Sequence, residues 1–89
     1  MIELQTFRLA ADVDESAFRD DDARVQQEIA YRQPGLVRRT TARSSDGEWL
    51  VATIWQSAAL ADAATRILDA LHPHIDASTV RTVRYDEIG

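Results

Sequence analysis

Asp22 carries the sharpest chemical promise in this 89-residue chain. It falls on the apolar stripe of a helical pattern, between Phe18 and Val25. A carboxylate on such a face is paired, sits at a wet edge, or lines a polar cavity. Arg8, Arg38 and Arg39 are the cations that neighbouring strands could bring to it. The structural reading is a pair with one of them; the functional reading is a base or ligand contact in a cleft. Trp49 and Trp55 share one strand face. Large aromatics there pack a core or an interface, but Trp55, at the strand end, is also placed to stack on a flat polycyclic ligand. Tyr31 and Tyr85 could offer hydroxyls to such a ligand. Gln5 and Glu3 share the face of the first strand with Phe7, and need hydrogen-bond partners where that face is buried. Asp22 is therefore the candidate catalytic residue, and Trp55, Asp22, Tyr31 and Gln5 are the candidate ligand contacts.

Other chemistries find little support. His72 and His74 flank Pro73 at a predicted helix end, with Asp69 and Asp76 as the only nearby carboxylates. That set reads as a helix terminus, where histidine favours the dipole, and not as a metal site. Asp20-Asp21-Asp22 lacks the alternating spacing and glycine of a calcium loop. There are no cysteines, so thiol chemistry and disulfides are excluded. No nucleophile triad, phosphate loop or dinucleotide fingerprint occurs. No metal or cofactor is expected.

Composition narrows the class further. The length fits one domain spanning residues 1–89. A chain this small buries a limited share of its surface and is often helped by association. The net charge of −5 gives no electrostatic case for nucleic acid or an anionic membrane. All ten basic residues are arginine, a bias that weakens functional readings of any single one. No apolar run is long enough for a membrane span and the start shows no signal-peptide pattern, so a cytoplasmic protein is expected.

The elements that must position these residues read as β-α-β-β-α-β. Ile2 to Leu9 is a strand with Ile2, Leu4 and Thr6 on one face and Phe7 and Leu9 on the other, beside Glu3 and Gln5. Asp14 or Ser16 caps a helix from Glu15 to Arg32, ended by Gln33-Pro34-Gly35. Leu36 to Arg43 is a second strand. Asp46-Gly47 turns the chain into a third, Glu48 to Gln56. Trp49, Val51, Thr53 and Trp55 face one way; Leu50, Ala52 and Ile54 face the other. A strand apolar on both faces is expected to be central and covered twice. Ser57 caps a second helix from Ala58 to Leu71, ended by Pro73. Ile75 to Thr79 is a connector, and Val80 to Ile88 the last strand. The plan is an α+β, ferredoxin-like fold: a four-stranded antiparallel sheet with two helices on one face. The other face then calls for a partner, most simply a second copy of the chain.

With Thr6-Phe7-Arg8, Gln33-Pro34-Gly35-Leu36, Asp46-Gly47-Glu48-Trp49 and Ile54-Trp55-Gln56-Ser57 before an alanine-rich helix, the chain resembles the dimeric α/β-barrel superfamily. Within it, the resemblance is to antibiotic-biosynthesis-monooxygenase-like (ABM-like) bacterial domains, over nearly the whole chain. It implies a homodimer closed into an α/β barrel, with a cleft between helices and sheet in each subunit. It also implies a cofactor-independent monooxygenase- or cyclase-like activity on aromatic or polyketide-like substrates in an apolar cleft. The alternative is a non-catalytic, ligand-binding or stress-associated dimer. The heme-degrading branch needs an Asn on the first strand and a Trp in the second helix. This chain has Gln5 and no such Trp.

Overall fold

The computed structural model describes all residues 1–89. Four strands, β1 (Ile2–Leu9), β2 (Leu36–Arg43), β3 (Trp49–Trp55) and β4 (Ile75–Tyr85), form one antiparallel sheet in the order β2-β3-β1-β4. Two helices, α1 (Glu15–Glu28) and α2 (Ala58–Ala63), connect them in the βαββαβ, ferredoxin-like order. No helix is long and apolar enough to cross a membrane.

The first helix starts where its cap predicts. Asp14 is extended, and its Oδ1 accepts from the Ser16 backbone N–H at 3.0 Å. The predicted continuation to Arg32 does not form. The α-helix stops at Glu28, and a 3-10 turn, Ala30–Arg32, follows. Tightening the chain here buries Ala30 completely and brings Tyr31 against β2. Gln33 Nε2 donates to the Ile29 carbonyl, which also accepts from the Arg32 backbone N–H.

The predicted second helix is broken in two. α2 lasts six residues, with Ser57 Oγ accepting from Leu60 N–H. Ala64 is then extended, and the Thr65 N–H is captured by Gln33 Oε1 at 3.1 Å instead of continuing a helix. The chain recoils as a 3-10 segment, Ile67–His74, that contains Pro73 and does not stop at it. α2 buries none of its residues, whereas the 3-10 segment carries Leu71 into the core. The result is an arch over the sheet.

Beneath α1 and the 3-10 segment, Phe7, Phe18, Val25, Trp49, Val51, Leu71 and Ile75 form the core. Phe18 meets Phe7, Trp49 and His74 edge-on, with centroids 5.9, 4.8 and 5.8 Å away. Such geometries add to the effect of burial alone.

The predicted connector at 75–79 belongs to β4: Ile75 pairs with Leu9 and Asp76 with Arg8. The register then breaks before Arg81, which pairs with Thr6. Local hydrogen bonds hold the bulge. Asp76 Oδ1 accepts from Ser78 N and Oγ, and Thr79 Oγ1 accepts from Arg8 N. At its other end β4 stops at Tyr85, opposite Ile2, because β1 offers no further partner. Ile88, placed on the strand by its sequence, is 94% exposed beyond it.

β3 alternates strictly. Trp49, Val51, Thr53 and Trp55 are buried on the helical side, while Leu50, Ala52 and Ile54 are only half-buried on the other. The strand is interior to the sheet, as read from its sequence, but the chain itself covers only one of its faces.

Candidate functional site

Antiparallel register lines up Arg39, Thr53, Glu3 and Arg84 across all four strands in one row. This row faces the helices at the end of the sheet away from Phe18. The arch of α2 and residues 64–69 spans it, and a cavity of about 540 Å³ lies between. Trp55 forms one wall, Gln5 and Thr82 lie in the next row, and Asp62, Thr65, Ile67 and Leu68 close the arch side. Only six of the sixteen lining residues are hydrophobic. The apolar cleft expected from the family resemblance is thus replaced by a mixed lining, because alternate residues of β1 and β4 contribute Glu3, Gln5, Thr82 and Arg84.

Several charges in the cavity are paired, while Arg66 and Asp69, which also line it, make no ion pair. Arg84 Nε donates to Glu3 Oε2 at 2.9 Å, and its Nη1 donates to Asp62 Oδ1 at 2.6 Å. Arg84 thereby ties the cavity floor to the arch. The hydrogen bonds it donates to Asp62 first, and to Glu3 second, raise the guanidinium above its usual pKa. Arg39, 3% exposed, gives Nη2 to Asp22 Oδ1 at 2.8 Å and Nη1 to Gln26 and Thr41.

One fully buried side-chain polar atom is unpaired. Trp55 is 4% exposed, and its Nε1 is buried without a hydrogen-bond partner. A buried donor left unmade costs about 1–3 kcal/mol.

Of the residues singled out by sequence, Trp55, Gln5 and Glu3 line this cavity. Gln5 Nε2 also reaches Thr82 Oγ1, at a long 3.5 Å. Asp22 and Tyr31 do not line it. They border a shallower groove between α1 and β2, separated from the cavity by Arg39, which lines both. Asp22 adopts the structural alternative, buried against Arg39. Tyr31 Oη accepts from the Arg39 N–H and donates to the Arg39 carbonyl, satisfying the open edge of β2. His74 Nε2 meets Asp21 at 3.1 Å and Phe18 edge-on, while His72 is exposed. No group of three or more His, Cys, Asp or Glu side chains is placed to hold a metal ion. Arg84, Thr53 and Asp62 were missed by sequence reasoning. The available signal was the alternation of polar residues on the helix-facing side of β1 and β4.

No family model matches the chain, and no curated protein matches it significantly. Solved structures do resemble it. SnoaB, a cofactor-independent oxygenase from Streptomyces nogalater, superposes with a TM-score of 0.78 at 19% identity, over 99% of this chain and 92% of SnoaB. Rv0793 from Mycobacterium tuberculosis gives 0.71 at 16% identity, over 99% and 97% of the two chains. An antibiotic biosynthesis monooxygenase gives 0.65 at 15% identity, over the full length of both. At these identities the likeness is one of fold, and the chain has the antibiotic-biosynthesis-monooxygenase-like fold that its sequence resembles.

Proposed function

We propose that the chain binds a flat, oxygen-bearing aromatic molecule in the cavity beneath the arch and acts on it as a cofactor-independent, oxygenase-like enzyme. The observation that carries this reading is a cavity of about 540 Å³ between arch and sheet, with the Trp55 side chain on its wall. That volume lies within the range of small-molecule sites. The fold shared with SnoaB, described as a cofactor-independent oxygenase, supports the reaction class. In such a reaction a ring CH2 and O2 become a carbonyl and water, the ligand itself supplying the electrons. The protein's part is to hold the ring, keep bulk water away and donate a hydrogen bond where negative charge develops on oxygen.

A second reading is a binding module without catalysis. It is favoured by the pairing of Glu3, Arg84, Asp62 and Arg39 in ion pairs, which leaves no evident proton carrier among them. Aerobic incubation with anthrones and hydroxylated naphthalenes, followed by oxygen uptake and quinone absorbance, separates the two. Turnover supports the enzyme. Saturable binding without oxygen uptake leaves the binding module, and no binding at all rejects both.

We further propose that the protein works as a homodimer joined through the sheet face away from the helices. Ile2, Leu4, Leu50, Ala52 and Ile54 are half-buried there, while Val83 and Tyr85 are 49% and 51% exposed. An apolar face of this extent is a typical association surface.

A further inference from the structure

β2 is an edge strand of the sheet, paired with β3 alone. An antiparallel edge turns the backbone N–H and C=O of every second residue outward, which makes a template for another chain. Arg39 belongs to that outward set, because both its N–H and its carbonyl bond to the Tyr31 hydroxyl, outside the sheet. Tyr31 Oη accepts from Arg39 N at 3.1 Å and donates to Arg39 O at 3.3 Å. One oxygen thus does what an opposite residue in a paired strand does with its N–H and C=O. Thr41, two residues on, turns its backbone the same way, since the Arg39–Thr53 and Thr41–Val51 pairs alternate in one ladder. Tyr31 reaches the edge from the 3-10 turn and is 47% exposed, so its ring contributes little to the core. The composition of β2 invites pairing. Val37, Thr40 and Thr41 are β-branched, and Val37 is 55% exposed.

We propose that the β2 edge is a latent self-association surface, that its occupant is β2 of a second copy, and that the Tyr31 hydroxyl keeps it closed. Antiparallel pairing about Thr40 sets Arg39 opposite the second copy's Thr41, and Thr41 opposite the second copy's Arg39. Each such pair exchanges two backbone hydrogen bonds. Arg38 then faces Ala42 and Arg43 faces Val37, so no arginine meets an arginine and charge alone does not protect the edge. The register shift between Leu36 and Arg38 shortens the regular stretch, which leaves Arg39 and Thr41 to carry the pairing. Tyr31 holds the Arg39 half of the outward groups that this pairing needs. The β2 edge is distinct from the open sheet face, and its closure holds whatever the cavity binds. With both surfaces available, two-fold contacts at face and edge would extend copies into chains; with Tyr31 in place, association stops at the face.

Amide hydrogen exchange of the unaltered full chain, resolved by NMR, reads the closure directly. The Arg39 amide should be protected about tenfold more than the Thr41 amide. Equal protection of the two overturns the proposal. Sedimentation of Tyr31→Phe and Tyr31→Ala reads the consequence. Phenylalanine keeps the ring and loses both hydrogen bonds; alanine clears the edge as well. The weight-average mass should rise to at least about twice that of the unaltered chain at the same concentration, and alanine should act at lower concentration than phenylalanine. In the larger species the Thr41 amide should become protected, because it is then paired. A folded Tyr31→Ala chain of unchanged mass overturns the proposal, as do larger species in which the Thr41 amide still exchanges freely. If neither variant folds, the comparison of Arg39 with Thr41 in the unaltered chain decides alone.

Discussion

Arg39 Nη2 lies 2.8 Å from Asp22 Oδ1, and the two side chains are only 1% and 10% exposed. The pair bolts α1 to β2. Removing one partner of such a pair strands a buried charge and costs about 3–5 kcal/mol, whereas replacing both with apolar residues is often neutral. Asp22→Ala should therefore lower the unfolding free energy, read from urea titration, by about that amount. A combined Asp22→Leu, Arg39→Met chain should recover much of the loss. A single substitution costing under about 1 kcal/mol would show that the pair is not structural.

Trp55→Phe should separate binding from stability. The substitution removes an N–H that no group in the protein satisfies. Relief of that donor partly offsets the lost packing, so unfolding of the ligand-free chain should shift by less than about 1–2 kcal/mol. Affinity for a flat aromatic ligand should fall several-fold, measured by titration, because the smaller ring offers less surface to stack on.

Gly35 fixes the near end of the arch. It sits at φ +86°, and a Cβ there would lie 2.5 Å from Leu60 Cδ1 and 2.8 Å from Leu60 Cβ. Gly35→Ala combines a left-handed backbone penalty of about 1 kcal/mol with the displacement of α2. The thermal midpoint should drop, and ligand affinity should change with it because Leu60 belongs to the arch. An unchanged midpoint would show that α2 shifts freely.

Acid should weaken the fold through Asp21 and Asp46. The hydrogen bond from Arg24 leads in holding Asp21 below the ordinary carboxylate pKa, with His74 adding to it. Asp46 is held down first by Ser44 and then by the Glu48 backbone N–H. Both values are depressed on folding, so their contribution is complete above the unfolded value near about 4 and is lost as pH falls through the folded values. Urea midpoints measured from pH 6 to pH 2 should decline in that acid window. Asp21→Asn should flatten the decline; an unaltered slope would assign it to other carboxylates.

Ala52→Glu on the open sheet face should dissociate the proposed dimer. Sedimentation should change from twice the 10.0 kDa chain mass to that mass, with secondary structure retained. A monomer before substitution would reject the dimer outright.

Local chemistry wrote much of this molecule legibly. Alternation in Trp49–Trp55, the Asp46-Gly47 turn, the Asp14 cap and the turn at Pro34-Gly35 are short-range signals, and β1, β2, β3 and the start of α1 follow from them. The placement of Trp55 and Gln5 on the helix-facing side of the sheet follows from the same period of two. The breaks were decided by partners distant in sequence. Thr65 leaves the helical pattern because Gln33, 32 residues away, takes its N–H. Residues 75–79 become strand because β1 extends far enough to pair them. Asp22 resolves into a structural residue only because Arg39 reaches it across 17 positions. The row of Arg39, Thr53, Glu3 and Arg84 exists only once four strands are in register. Sequence determined which side chains share a face, since that depends on neighbours along the chain; tertiary structure decided which faces meet, and so where the cavity lies.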